Sequence, residues 1–370
     1  MKLPPVLDIL AGLVRINSVN PAYDGGVPEA AIAAHVGDFF TAHGIENFEQ
    51  EVLPGRPNRI ARLPGRDPAR RIVFEAHSDT ASVAGMSIPP FDPQVRGGRL
   101  YGRGACDTKA GLAAMMHAAS SLGETPASEV WVVAAADEEF SYRGVLKLCE
   151  SLRADGAVVS EPTSMRLITA TKGCLRLRVH TRGRAAHSSK PHLGVNAIVR
   201  MTEVIQAIER DAAGLSARSH PLVGHATSNI GLIHGGTQVN MVPESCWIDV
   251  DRRLLPGEDC GGVLSAYQDL IGSLGVEAWL ETTLSDEPLE TPADARVASV
   301  AASVLSELGL DPAPAGVPYG SDASKLARAG VPSIVVGPGS IDQAHAAVEY
   351  VDCAEVEAAA EFYRRMMLAF

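Results

Sequence analysis

Long apolar runs are missing from this 370-residue chain. The longest uncharged apolar stretch, around GVPSIVVGPGSI, is broken by Pro and Gly and falls short of the about 20 apolar residues that a bilayer span needs. Basic residues are in deficit, 32 Lys and Arg against 44 Asp and Glu. A formal charge of −12 argues against nucleic acid and anionic membrane as partners, since both select basic surfaces. Paired cysteine motifs are also missing: Cys106, Cys149, Cys174, Cys246, Cys260 and Cys353 are scattered without a CxxC. They read as buried thiols of a cytoplasmic protein rather than as a disulfide framework, with Cys106 alone bordering a motif of chemical interest. The glycine-rich GRGACDTKAG has neither the Gly-x-Gly-x-x-Gly spacing nor a Gly-Lys-Ser/Thr ending, so it is not read as a phosphate loop. The opening MKLPPVLDILAGLVRI resembles a secretion signal only superficially. Asp8 and Arg15 interrupt it, and Leu7, Leu10 and Val14 keep the spacing of an amphipathic first helix.

What is present is alternation. RIVFEA (71–76), AGLAAMMHAASSL (110–122), VWVVAAA (130–136), RGVLKLCESL (143–152) and GAVVS (156–160) pass from short continuous apolar runs to helical patterns and back. Such runs separated by helices predict an α/β fold with a mainly parallel sheet covered on both faces. From about residue 172 the texture changes: in CLRLRVHTR, Leu175, Leu177 and Val179 alternate with Arg176, Arg178 and His180, the period of a half-exposed strand. The elements that follow predict a β-α-β-β-α-β unit, a small antiparallel sheet with two helices on one face. After about residue 288 the first texture returns in ARVASVAASVLSELG, VPSIVVG and AEVEAAAEFYRRMM. A soft prior of about 150 residues per domain then gives residues 1–172 and 289–370 as one domain and 173–288 as an insertion.

Acids and histidines gather just beyond the apolar strands: His77 and Asp79 after RIVFEA, Glu138 and Glu139 after WVVAAA, Glu161 after GAVVS, and His345 after SIVVGPGSIDQA. Asp107 opens a helix nearby. Open α/β sheets build ligand sites where strands end, so these positions are expected to converge. His nitrogen with carboxylate oxygen, and no evident nucleophile, is a donor set for Zn²⁺ and related divalent ions. Three carboxylates and a hydroxide would offset two such ions. Asp137, the first acid of the DEE run, reads as structure rather than chemistry.

The segments HSD (77–79), GRGACDTKAG (102–111), DEE (137–139), SEPT (160–163), GRAAHSSKPHLGVNAI (183–198) and GPGSIDQAH (337–345) together resemble the M20 metallopeptidase family, whose members include deacetylases, desuccinylases, aminoacylases and carboxypeptidases. The resemblance implies a catalytic metal-binding domain with an inserted lid and dimerisation domain, and two Zn²⁺, with Co²⁺ or Mn²⁺ able to take the same ligands. It implies that His77 and Glu161 hold one ion, that Glu139 and His345 hold the other, and that Asp107 bridges. It makes Asp79 the group that fixes the His77 tautomer, Glu138 the general base, and His187 the oxyanion donor, acting across a homodimer. Asn240 and Arg253 would bind the substrate carboxylate. Arg252 competes with Arg253 for that role; Ser321 and Asp322 either line the substrate pocket or cap a helix. The expected substrate is an N-acyl amino acid or short peptide. Ala76 before the histidine, Thr80-Ala81 after it and FSYRG after the glutamates depart from the family pattern. Glu161 resembles the deacetylase and desuccinylase branch. The alternatives are a carboxypeptidase or dipeptidase, or a binding scaffold without catalysis.

Overall fold

The run RIVFEAH closes the strand Asp67–His77, whose last six residues are all buried. Side chains without a solvent-facing position mark a strand covered on both sides. In this computed structural model, which describes residues 2–370, that strand pairs in parallel with Ser128–Ala135 and with Gly156–Val159, and Gly156–Val159 pairs in parallel with Ser333–Val335. Alternate residues leave opposite faces. Ile72, Phe74 and Ala76 join one apolar cluster with the helices Val6–Val14, Lys109–Ser120, Arg296–Glu307 and Cys353–Ala369. Phe74 meets Tyr363 edge to face, centroids 5.9 Å apart. Glu75 points to the other side, towards Asp322 at the start of the helix Asp322–Arg328.

The sheet is mixed at its margins. The hairpin Glu46–Leu53 and Arg56–Leu63 adds antiparallel to Ser128–Ala135, and Ile168–Thr171 adds antiparallel to Ser333–Val335. Apart from Ala170 and Thr171 at the end of that last strand, these elements belong to the larger of two units, which runs to Thr169 and continues in Thr291–Ala315 and Ser321–Phe370.

The second unit comprises Ala170–Glu290 and Gly316–Gly320. Its sheet runs Thr227–Gly235, Ser245–Leu254, Gly173–Arg182, Ala278–Asp286, antiparallel throughout. Leu175, Leu177 and Val179 pack with Ile248 and Val250 against Ala197–Leu215 and Cys260–Gly272. Asn196 caps the first of these helices, its Oδ1 accepting from the amides of Ile198 and Val199 at 2.9 and 3.2 Å. On the other face His234, Trp247, His180 and Trp279 stand in one row across all four strands. Their rings stack in pairs, His180 on Trp279 at 4.8 Å and His234 on Trp247 at 4.4 Å, the cross-strand packing that stabilises an exposed sheet face.

Phe74 is fully buried and Phe140 is 57% exposed. Urea unfolding of metal-free protein is expected to show a loss of about 3–5 kcal/mol for Phe74→Ala and a change within about 0.5 kcal/mol for Phe140→Ala.

Candidate metal centre

The register of the parallel strands brings separate parts of the chain to one edge. Ala135 lies opposite His77, and Val159 opposite Glu75, so the segments carrying Glu138, Glu139 and Glu161 leave the sheet beside His77. Asp137 adopts a left-handed conformation, φ 67°, which Asp tolerates better than most residues. The chain turns there, and the two glutamates follow. Gly337 lies where a Cβ would sit 2.5 Å from the Glu161 carbonyl oxygen, so only glycine lets the two loops approach this closely.

Asp107 is the centre of the arrangement. His77 Nε2 lies 3.1 Å from its Oδ1, and His345 Nε2 lies 3.4 Å from its Oδ2 and 3.0 Å from Glu139 Oε2. One carboxylate thus faces a histidine on each oxygen, the disposition of a bridging ligand. His77, Asp107 and Glu139 offer ligand atoms within 4.8 Å of one another. His77 is 2% exposed and His345 58%. Glu161 is buried and close enough for Asp107 and His77 to be the charges that act on it most strongly.

Asp79 works differently from the expectation. His77 Nδ1 donates to the main-chain carbonyl of Asp79 at 2.9 Å, while the carboxylate stands 3.6 Å off. The carbonyl can only accept, so it fixes the tautomer that leaves Nε2 facing Asp107. The Asp79 carboxylate instead accepts from the amides of Glu138 and Glu139 at 3.1 and 3.2 Å and from Asn20 Nδ2 at 2.7 Å. It holds the peptide from which both glutamates project. Asn20 also donates to Asp137 Oδ1 at 3.0 Å. Asp137 in turn pairs at 2.8 Å with Arg56, whose guanidinium grips Glu29 through bonds of 2.7 and 2.6 Å. Asp137 is therefore structural, as its sequence context implied. Asn20, Arg56 and Glu29 carry no motif that marks them.

Charge explains what this edge can hold. Burial, reinforced by neighbouring acids, pushes the Glu138 and Glu161 carboxyls well above the ordinary range, and burial raises Glu139 as well. Burial opposes ionisation of Asp107, but hydrogen bonds from His345 and His77 win and hold it low. His77 is raised well above the usual imidazole value despite burial, and His345 is pushed up to about 10, chiefly by Asp107 and then Glu139. No Lys or Arg ranks among the main influences on Asp107, Glu138, Glu139 or Glu161. Glu139 Oε1 is buried without a hydrogen-bond partner, a costly state for a carboxylate. The acid excess, the orphaned oxygen and the two-sided Asp107 fit divalent cations, with His and carboxylate donors matching zinc chemistry.

The remaining expected residues divide between the two units. In the second unit, His187 pairs with Met241 across a short antiparallel bridge and Ser188 N donates to the Asn240 carbonyl at 3.0 Å, so His187 and Asn240 are brought together; both are exposed. Arg252 is buried and bound to Glu258 at 2.7 Å, whereas Arg253 lies on the open sheet face against Asp251 at 2.7 Å. In the larger unit Ser321 is 1% exposed and accepts from the Ala323 amide at 3.4 Å, which is helix capping. Asp322 is buried against Glu75. The Cys106 thiol is raised far above its ordinary value by burial and then by Asp107, which leaves it protonated and unreactive.

A doubly covered sheet with a carboxylate-histidine cluster at its strand ends defines a metal-dependent hydrolase. The chain belongs to peptidase family M20/M25/M40, whose sequence model matches residues 73–369, and so it is an enzyme of amide or peptide bonds. It is 34% identical over 319 residues to an acetylornithine deacetylase of Myxococcus xanthus, covering 83% of this chain and 82% of the relative. Its fold matches an aminopeptidase of Bacillus cereus with a TM-score of 0.81 at 23% identity, covering 98% and 97% of the two chains. A dinuclear metal-binding peptidase of the M20 family from Bacillus subtilis matches with a TM-score of 0.73 at 15% identity, covering 98% and 96%.

Arg56→Met leaves Glu29 and Asp137 buried without their cation and is expected to cost about 3–5 kcal/mol. Glu29 already titrates above its usual 4.5, burial outweighing Arg56, and loss of Arg56 raises it further. The folded variant then holds a proton that the unfolded chain releases, so its stability falls as pH rises through the window above 4.5. Denaturant midpoints measured across pH should show the deficit shrinking as pH falls back through that window.

Proposed function

We propose that this enzyme is a dinuclear, zinc-dependent amide hydrolase that removes the N-acyl group of an amino-acid-like substrate. The carrying observation is Asp107 with one histidine on each carboxylate oxygen. In this reading His77 and Glu161 would hold one ion and Glu139 and His345 the other, with an oxygen of Asp107 available to each. When bound, such ions polarise the amide carbonyl and make water acidic enough to ionise near neutrality. The remaining steps belong to side chains. Glu138 accepts the proton of the attacking water and returns it to the leaving nitrogen, and its raised affinity for protons suits a group that must both take and give one. Asp79 keeps Glu138 aimed by holding its amide. His187 stabilises the oxyanion, while Asn240 and Arg253 take the substrate carboxylate; Arg253 is favoured over Arg252, whose guanidinium is already committed to Glu258. Ser321 is left to its cap rather than to the substrate.

The deacylase reading rests on the deacetylase relative and on Glu161. The presence of Glu138 beside the ligand Glu139 speaks against a scaffold without catalysis, since binding alone needs no base. A homodimer joined through the second unit is part of the reading. It is supported by exposed Val199, Leu232, Ile233 and Val239 and by the edge strand Thr227–Gly235, which has a sheet neighbour on one side only. Six free thiols favour a cytoplasmic setting. Among the described residues no helix is long and apolar enough to cross a membrane.

Glu138→Gln is expected to keep the wild-type metal content while kcat falls by about 10²–10⁴; metal analysis beside turnover checks it, and unchanged turnover removes Glu138 from the chemistry. Comparing kcat/KM for N-acetylornithine, N-succinyl-diaminopimelate, simple N-acyl amino acids and dipeptides separates deacylase from peptidase. Mixing His187→Ala with Glu138→Gln subunits should recover part of the activity when His187 acts across the dimer. Subunit exchange without recovery places it in its own chain.

A further inference from the structure

Arg103 and Glu349 form a buried ion pair that the proposed mechanism leaves unused. Their side chains are 2% and 0% exposed, and Arg103 Nη1 meets Glu349 Oε2 at 2.6 Å. Burying two charges costs several kcal/mol per ion before any attraction is gained, and the cost is met only where further hydrogen bonds satisfy both groups. The other oxygen, Oε1, accepts two consecutive main-chain amides, Cys106 N at 2.9 Å and Asp107 N at 3.1 Å. Arg103 Nη2 donates onward to the Ser82 carbonyl at 2.7 Å. The main chain repeats the connection: Gly102 N donates to the Glu349 carbonyl at 3.1 Å, and Leu100 pairs with Val351.

We propose that Glu349, held by Arg103, is the positioning residue that sets Asp107 against His345 and thereby builds the metal position shared by Asp107, Glu139 and His345. Glu349 touches no reacting atom. By fixing the peptide that enters Asp107, it fixes the direction in which that carboxylate leaves the chain. By lying four residues beyond His345, it ties the loop that carries that histidine to the same amides. Three hydrogen bonds to one carboxylate therefore couple two ligands that are 238 residues apart in number, 345 against 107. His77 shares the Asp107 carboxylate at 3.1 Å, but its own placement does not depend on the clamp, because it ends a central strand and its ring is oriented by the Asp79 carbonyl. Loosening the clamp disturbs a carboxylate that serves both positions but frees the histidine of only one, so it should weaken the Glu139–His345 position far more than the His77–Glu161 position.

The inference rests on the dinuclear reading, and titration of metal-free protein with Co²⁺ keeps the two separable. Wild type is expected to take two equivalents. In Glu349→Ala the first equivalent should weaken only slightly, while the second weakens by about 10- to 100-fold, the usual effect of losing an outer partner of a metal ligand, and its visible absorption changes. Arg103→Lys retains the charge but not the fork and should give the same pattern in milder form, which provides a test if Glu349→Ala does not fold. Melting of the metal-free variants separates general damage from this effect. Equal weakening of both equivalents, or two equivalents bound as in wild type by both variants, overturns the clamp alone. Fewer than two equivalents in the wild type overturns the dinuclear reading and the clamp with it.

Discussion

Crowded negative charge at one edge of a parallel sheet is the constraint on which the rest of this molecule depends. Asp79, Asp107, Glu138, Glu139 and Glu161 reach that edge from four separate segments, and burial makes each more expensive to ionise. No lysine or arginine is among the main influences on Asp107, Glu138, Glu139 or Glu161. The protein places histidines on the two oxygens of Asp107 and keeps its arginines one layer out, where Arg56 neutralises Glu29 and Asp137 and Arg103 neutralises Glu349. Cations within reach of the inner acids would quench the site; cations behind them stiffen the frame while leaving the inner charge available to a metal.

The legible part of the fold is the part written in local pattern. Continuous apolar runs such as RIVFEA and VWVVAAA have one physical solution, a strand covered on both faces, and the inner positions of CLRLRVHTR announce their buried side through period two. The hairpin Glu46–Leu53 and Arg56–Leu63 escaped because ENFEQEVL and RPNRIARL carry charge along much of their length, and their strand character comes from pairing beside Ser128–Ala135 rather than from their own hydrophobicity. The ligand candidates were legible for a related reason: acids directly after apolar strands conflict with burial unless something resolves the conflict.

The supporting shell was not legible. Arg103 and Glu349 are 246 residues apart, and Arg56 and Asp137 are 81 apart; Arg56, Arg103 and Glu349 read in sequence as ordinary surface charges, because the interactions that justify their burial exist only after folding. Asp79 shows the same limit at short range. Its spacing from His77 suggested that its carboxylate orients the ring, whereas the main-chain carbonyl does so. The carboxylate is thereby released to bind the amides of Glu138 and Glu139, a job that spacing alone could not reveal.

These two supports divide the site along a mechanical line. His77 belongs to a strand with parallel partners on both sides, is 2% exposed, and receives its orientation from its own segment. His345 follows a loop, adopts a left-handed backbone at φ 59°, and is 58% exposed. A loop residue can hold a ligand geometry to fractions of an ångström only if long-range hydrogen bonds replace the rigidity that a sheet supplies. Here the Glu349 carboxylate supplies them to the Asp107 side, and the Gly339 backbone, where a Cβ would lie 2.5 Å from Cys106 Sγ, lets the two loops lie close together. Rigidity at His77 is thus inherited from the fold, and at His345 it is assembled from buried charge. That difference gives the Arg-Glu pair directly behind this cluster a role beyond its own stability.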